Sequence, residues 1–283
     1  MRLWPWVGAF SSAGLATLVY GALVEAHRLV LEKRTLRLPA WPARMNGYRI
    51  ALLADLHVRD QYTVALTQRA VELALAEAPD VVAIAGDFVG YWKGDSLDLL
   101  SEALFQLLLM DGRVVAVPGN HDYWDGDPSP LEHALPELGI TLLRNEVASV
   151  GGVVWAGMDS ANAFASDPFS TMARAHMLSE REPIIALWHE PDVVDQLPEG
   201  AALMLSGHSH GGQFMFPWGW TPKHTDNGRK YVKGFYPEAP TPLYVSRGVG
   251  TTGPPSRLCV LPEVTVLTLE HAPSGIPSSV YNP

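Results

Sequence analysis

The sequence predicts an α/β fold of the layered α+β kind, a mixed-sheet sandwich flanked by helices, on three observations. Five short apolar runs, Ile50–Leu53, Val81–Ile84, Val114–Val117, Ile184–Leu187 and Leu203–Leu205, have the length and unbroken character of strands buried on both faces. Between residues 48 and 118 these runs alternate with segments of helical period. After residue 240 the pattern changes to strand-like segments with no helix between them. The 283 residues, 47% hydrophobic and 18% charged, hold enough apolar material for one large domain or two small ones.

In chain order, Leu3 to Val24 come first, 22 positions without a charged side chain. As a helix rising about 1.5 Å per residue they span roughly 33 Å, enough for a bilayer core. Trp4, Trp6 and Tyr20 stand near the two ends, where amphipathic rings prefer the lipid interface. A cleaved signal peptide wants a more basic start than Arg2 alone and a shorter apolar core. The other competing reading is a buried helix of the folded domain, but one this long and this uncharged is unusual at an N-terminus, so residues 1–24 are expected to be a single-pass transmembrane helix. Residues 25–47 follow as a basic juxtamembrane connector containing Pro39 and Pro42. Arg28, Lys33, Arg34 and Arg37 outnumber Arg2, and the positive-inside rule then puts the remainder of the chain on the cytoplasmic face.

The folded domain is expected over 48–283, its first strand beginning near Tyr48. Thr63–Ala78 reads as a helix with Leu66, Ala70, Leu73 and Ala74 on one face. Asp95 or Ser96 caps a second, whose Leu97, Leu100, Leu104, Leu107 and Leu108 recur at steps of three and four. Shorter helices are expected near 130–138 and 171–181, and strands at Leu243–Ser246, Leu258–Leu261 and Val264–Leu269. Cys259 is the one cysteine, which excludes an internal disulfide and any Cys-based zinc site; in its strand-like run it reads as a small buried hydrophobe. A net charge of -10 is the wrong sign for gripping a nucleic-acid backbone, so no nucleic-acid partner is expected.

Each of the five runs leads into a polar cluster: Asp55-Leu56-His57, Gly86-Asp87, Gly119-Asn120-His121-Asp122, His189 and Gly207-His208-Ser209-His210. Their oxygen and imidazole donors suit two adjacent divalent transition ions. One Asp-x-His or Gly-Asp arises by chance in most chains of this size; all five in this order are hard to produce that way. In open α/β sheets ligands bind outside the carboxyl ends of strands, so five clusters at five strand ends meet along one sheet edge.

This order resembles the calcineurin-like metallophosphoesterases, whose pattern is D-x-H, G-D, G-N-H-D/E, H and G-H-x-H. The resemblance implies a four-layered αββα sandwich and a two-metal phosphoester hydrolase. It puts Asp55, His57, Asp87 and His210 around one ion and Asp87, Asn120, His189 and His208 around the other. Asp87 is the natural bridge, since a carboxylate has two oxygens and charge to offset two cations. The mixed donors admit Mn, Fe, Zn or Co, with Mn favoured. His121 is implied to face the substrate and to protonate the leaving oxygen or stabilise the phosphoryl charge. Asp122 either orients His121 or pins the turn. Family members often carry a second acid, as G-D-x-x-D; here that place is Gly90. Of the other histidines, His27, His133, His176, His224 and His271, each reads as a surface or satisfied polar residue, with His224 the best placed for a further role because of its loop.

From Gln213 to Tyr236 the chain holds Phe214, Phe216, Trp218, Trp220, Tyr231, Phe235 and Tyr236, interspersed with Lys223, Arg229, Lys230 and Lys233. It reads either as a loop folded onto the core by its aromatics or as a lip facing lipid or substrate. The wording G-H-S-H-G-G-Q, followed by Val245–Gly250, resembles a membrane-associated bacterial branch of the family. Some members are phosphodiesterases; others cleave the pyrophosphate of UDP-2,3-diacylglucosamine in lipid A synthesis. The expectation is a hydrolase at the bacterial inner membrane, a phosphodiesterase or pyrophosphatase on a lipid-linked substrate. The alternatives are a general phosphomonoesterase or nucleotide phosphatase, and a non-catalytic metal-stabilised binding module, against which the complete donor set and His121 argue.

Overall fold

The computed structural model describes residues 14, 16–124, 126–222 and 224–272. The strands are β1 (Val30–Leu38), β2 (Tyr48–Leu53), β3 (Val81–Ala85), β4 (Val114–Val117), β5 (Ile140–Leu142), β6 (Glu146–Val150), β7 (Val153–Gly157), β8 (Ile184–Leu187), β9 (Leu203–Ser206), β10 (Gly234–Tyr236), β11 (Leu243–Val245) and β12 (Glu263–His271). They make two six-stranded sheets, ordered β1-β12-β2-β3-β4-β5 and β10-β11-β9-β8-β7-β6. The helices are α1 (Gln61–Ala76), α2 (Ser96–Leu104), α3 (Ser129–Glu137) and α4 (Pro168–Leu178).

Side-chain alternation along the apolar runs explains the layering. In β2, Ile50 and Leu52 point into a core shared with Trp155, Ile185, Leu187, Leu203 and Leu205 of the second sheet. Ala51 and Leu53 point the other way, onto Val64, Val71 and Leu100 of α1 and α2. In β8, Ile185 and Leu187 enter the inter-sheet core while Ile184 and Ala186 meet Met172 and Ala175 of α4. Strands of period two that are apolar at every position must be covered on both faces. The result is helices, sheet, sheet, helix. α1 starts on a capping box in which Asp60 accepts from Thr63 N at 2.8 Å, a device worth about 1 kcal/mol.

The parallel pairs β2–β3–β4 and β7–β8–β9–β11 send their carboxyl ends to one edge in each sheet. Residues 25–47 differ from the expected connector. They carry β1, which pairs in parallel with β12 from Val30↔Glu263 to Leu38↔His271. The strand is at a sheet edge, and its outward Lys33, Arg34 and Arg37 pair with Glu77, Glu32 and Glu270. Those charges belong to a half-wet edge strand, which imitates a basic linker in sequence. The domain therefore begins upstream of Tyr48.

The expected transmembrane helix lies mostly outside the described residues. No helix among the described residues is long and apolar enough to cross a membrane. Residues 16–23 are helical and dock on the domain: Ser256 Oγ donates to Leu18 O at 3.1 Å and Cys259 N to the buried Glu25 carboxylate at 2.5 Å. Leu258–Leu261 is not a strand; it turns through a left-handed Cys259 (φ 56°), whose side chain is exposed rather than buried. The hairpin-forming β6 and β7 and the short β5 and β10 complete the sheets.

Candidate metal centre

The carboxyl ends of β2, β3, β4, β8 and β9 bring the predicted residues together. Donor atoms of Asp55, His57, Asp87 and His210 lie within 4.8 Å of one another, as do those of Asp87, His189 and His208, and all are buried. Asp87 is common to both groups. Its Oδ2 is 3.5 Å from His57 Nε2 and 3.3 Å from His189 Nε2. His57 Nε2 and His210 Nε2 face each other at 3.1 Å, and His210 Nε2 is 3.6 Å from Asp55 Oδ1.

The backbone pays for this convergence with strain. Asp55, His57, Asp87, His208 and His210 all adopt left-handed φ between 47° and 68°, a region that non-glycine residues seldom occupy and that concentrates at functional sites. Glycine is required where loops press on the donors. Gly248, at φ +72°, would place a Cβ 2.6 Å from Asp55 Oδ2.

The donors fit divalent cations. His189 Nδ1 donates to Ala85 O at 2.6 Å and His208 Nε2 to Asp226 O at 2.7 Å, since a carbonyl can only accept. These bonds fix the tautomers, so His189 Nε2 and His208 Nδ1 turn toward each other, 3.2 Å apart, beside Asp87. Two imidazole lone pairs and a carboxylate oxygen repel unless positive charge stands among them. Burial alone lowers the His189 pKa, but Asp87 outweighs it and holds the imidazole well above its ordinary value. A divalent cation supplies more of that charge than one proton. Burial likewise pushes His57 down to about 3 and His210 well down, leaving neutral imidazoles with free lone pairs. Asn120 Oδ1 is buried with no hydrogen-bond partner, as is His57 Nδ1; an oxygen acceptor left so among metal donors fits a ligand of the second group.

His121 belongs to neither donor group, although its ring packs edge-on against that of His57 with centroids 4.5 Å apart. Its backbone N donates to Asp87 Oδ1 at 2.8 Å, its Nδ1 bonds Gly90 O at 3.0 Å, and its Nε2 is 3.3 Å from Thr252 Oγ1 at the cleft wall. Gly90, where a second acid was absent from the motif, thus orients the ring through its main-chain oxygen. Asp122 pins turns rather than His121: its carboxylate accepts from Gly119 N (2.8 Å), Asp87 N (3.1 Å) and Val89 N (3.1 Å). Burial, and then the charge of Asp87, push it up to about 7 against these bonds. Asp122→Ala strands three buried N–H groups and is expected to destabilise the fold by about 3 kcal/mol, read as a lower denaturation midpoint with unchanged m-value.

Three supporting residues escape sequence reading. Arg257 is fully buried and donates to carbonyls of Arg247 (2.9 Å), Gly248 (3.0 Å) and Gly250 (2.5 Å), clamping the loop that presses on Asp55. Burial lowers its pKa to about 10, still charged at neutrality. Glu190 accepts from Ser160 Oγ at 2.5 Å and from Ala161 N at 3.0 Å, ordering the facing loop, and Asn162 Nδ2 there donates to Asp226 O at 3.0 Å. Glu190 sits beside a predicted ligand, which is the only signal it gave; Arg257 and Asn162 stand in no motif.

A cleft of about 1020 Å³ opens over Asp87, Asn120, His121, His208 and His210. Its outer walls include Trp124, Phe164, Arg229 and His224. The Gln213–Tyr236 stretch divides. Tyr231 is buried and packs against Tyr236, while Phe216, Trp218 and Trp220 are exposed; Lys223 lies outside the described residues. His27 pairs with Tyr62 and His271 with Trp41 O, away from the donors.

The sequence profile of calcineurin-like phosphoesterases matches residues 48–212. An uncharacterized metallophosphoesterase of Bacillus subtilis, YkuE, is 27% identical, covering 89% of this chain and 89% of its own. An uncharacterized metallophosphoesterase of Aquifex aeolicus is 30% identical over 87% of this chain and 94% of its own. The phosphodiesterase YaeI of Escherichia coli is 29% identical over 78% and 82%. With that profile spanning more than half of it and such relatives along most of its length, the chain belongs to the calcineurin-like phosphoesterases and is a metal-dependent phosphoester hydrolase.

Proposed function

We propose that this hydrolase is a membrane-adjacent phosphodiesterase whose substrate is a lipid-linked phosphodiester. The charge of the cleft carries the reading. Among the described residues that line it, Arg229 is the one Lys or Arg side chain, and its guanidinium pairs with Asp226 at 2.6 Å. A diester brings one negative charge, which the metal centre can take. A monoester brings up to two, and the pyrophosphate of UDP-2,3-diacylglucosamine brings a second phosphoryl group for which the described walls offer little. Trp124, whose ring lies 3.7 Å from that of His121, and Phe164 give the cleft apolar surface suited to a bulky substituent. The phosphodiesterase name of the Escherichia coli relative points the same way.

When bound, divalent ions in such a site act as Lewis acids on phosphoryl oxygens and provide a nucleophile at neutral pH. Asp55, His57, Asp87 and His210 would hold one, and Asp87, Asn120, His189 and His208 the other. His121, outside both groups, is placed by Gly90 O with Nε2 on the cleft side, where a leaving oxygen would receive its proton. Residues 1–24 serve in this reading as the membrane contact at the bacterial inner membrane, their last turns docked on the domain through Leu18 O and Gly21 O, with the domain on the cytoplasmic face.

Parallel rates on bis(p-nitrophenyl) phosphate, p-nitrophenyl phosphate and a lipid pyrophosphate test the proposal, since the first two share a leaving group. The diester is expected to show the highest kcat/KM in Mn²⁺. A monoester or pyrophosphate hydrolysed faster would overturn it.

A further inference from the structure

Three segments lie side by side on the domain. Residues 18–25 hydrogen-bond to 256–259 through Ser256 Oγ to Leu18 O, Arg257 N to Gly21 O and Cys259 N to Glu25. On its other side, 258 bonds the loop after the metal motif: Met215 N donates to Leu258 O at 2.9 Å and Leu258 N to Gln213 O at 2.9 Å. The outer segments carry exposed apolar side chains. Leu23 is 70% exposed, Phe216 41%, Trp218 99% and Trp220 61%. Apart from Glu25, whose carboxylate is taken up by Cys259 N, neither outer segment carries a charge: Leu3–Val24 has no Asp, Glu, Lys or Arg, and neither has Gln213–Pro222.

The loop is held in place rather than splayed. Phe216 N donates to Trp220 O at 2.8 Å, and the two rings pack at 5.4 Å. It is also tied to the site. Thr221, buried against Gly212 just after His210, bonds His224 Nε2 at 2.7 Å in the cleft wall, and Gln213 Nε2 donates to O of Thr252, the neighbour of His121.

We propose that the loop 214–220 is a second lipid contact, resting on the same bilayer as the N-terminal segment and setting the mouth of the cleft at the membrane surface. The occupant is lipid because the exposed apolar side chains of the loop and of Leu23 flank the same segment, and the chain that leads into Leu23 carries no charge from Leu3 onward. Tryptophan is also the side chain favoured at the boundary between headgroups and acyl chains. The inference rests on the membrane-adjacent reading of the substrate, and goes further by naming the residues that orient the site toward it.

The single native cysteine makes a clean test. The full-length chain carrying Cys259→Ser and Trp218→Cys is labelled with an environment-sensitive fluorophore and added to phosphatidylethanolamine–phosphatidylglycerol vesicles. A label at Phe169→Cys, exposed on α4, serves as the control. Hydrolysis of a soluble diester checks that both variants are folded. The expected result is a blue shift at position 218, lost intensity when the vesicles contain nitroxide-labelled lipid, and neither change at 169. Vesicle binding with the 218 label still in water overturns this inference alone and leaves the anchor standing. A blue shift without nitroxide quenching means that a second copy covers the loop, which also overturns it. No vesicle binding overturns it together with the membrane-adjacent reading, whereas the diester rates above test the chemistry separately.

Discussion

Asp87→Ala is expected to take bound metal from about two ions per chain toward none, and hydrolysis with it. The carboxylate is the one group shared by both donor clusters, its Oδ2 within 3.5 Å of an imidazole nitrogen from each. Removing it leaves His57, His189, His208 and His210 around a space with far less negative charge to offset two dications. Its other oxygen accepts from His121 N, so the loop carrying Asn120 loses a tether as well. Asp87→Asn separates these two effects, because an amide oxygen preserves the tether while removing the charge. Metal per chain by elemental analysis and turnover of a diester should fall in parallel for both substitutions, with circular dichroism reporting a retained fold. A variant that keeps two ions per chain and near-normal turnover would sink the bridging role.

The apolar runs were legible as strands because each is buried on both faces, and the polar residue after each run then had to stand at a sheet edge. That is how five separate clusters could be read as one site before any geometry was known. The strands β1, β5 and β6 were not legible because they lack such a run, whereas β7 is buried throughout and lacks a cluster of metal donors after it to mark it. β1 carries the charged run Glu32-Lys33-Arg34 at a sheet edge, and β6 is half exposed throughout. β5, of three residues, offers too little pattern to separate it from a turn.

The supporting layer of the site was hidden by a different cause. Gly90 acts through its main-chain oxygen and Asp122 through main-chain N–H partners, so neither function shows in side-chain chemistry or spacing. Arg257 is 47 positions from His210, and only the loop geometry sets its guanidinium behind that ligand. The left-handed backbone at Asp55, His57, Asp87, His208 and His210 has the same character. Residue type says what a donor can bind; the strained turn decides where it points.

His121→Gln is expected to keep both metals and most substrate affinity while lowering turnover roughly 10²–10⁴-fold. The His121 side chain belongs to neither donor group, and the tether that its position gives Asp87 comes from the backbone N, which glutamine retains. What is lost is Nε2 on the cleft side, aimed by the Nδ1 bond to Gly90 O. A proton donor matters most when the leaving oxygen is basic. The loss should therefore shrink for a nitrophenolate, which departs readily as an anion, and grow for an alkoxide such as a glycerol headgroup. The measurement is single-turnover hydrolysis across diesters of graded leaving-group pKa, with metal content checked on the same samples. A steeper dependence on leaving-group pKa in the variant than in the parent assigns the acid role. Parallel lines, displaced by the same factor at every leaving group, would remove that role and leave His121 stabilising charge on the phosphoryl oxygens, where protonation of the leaving group does not enter.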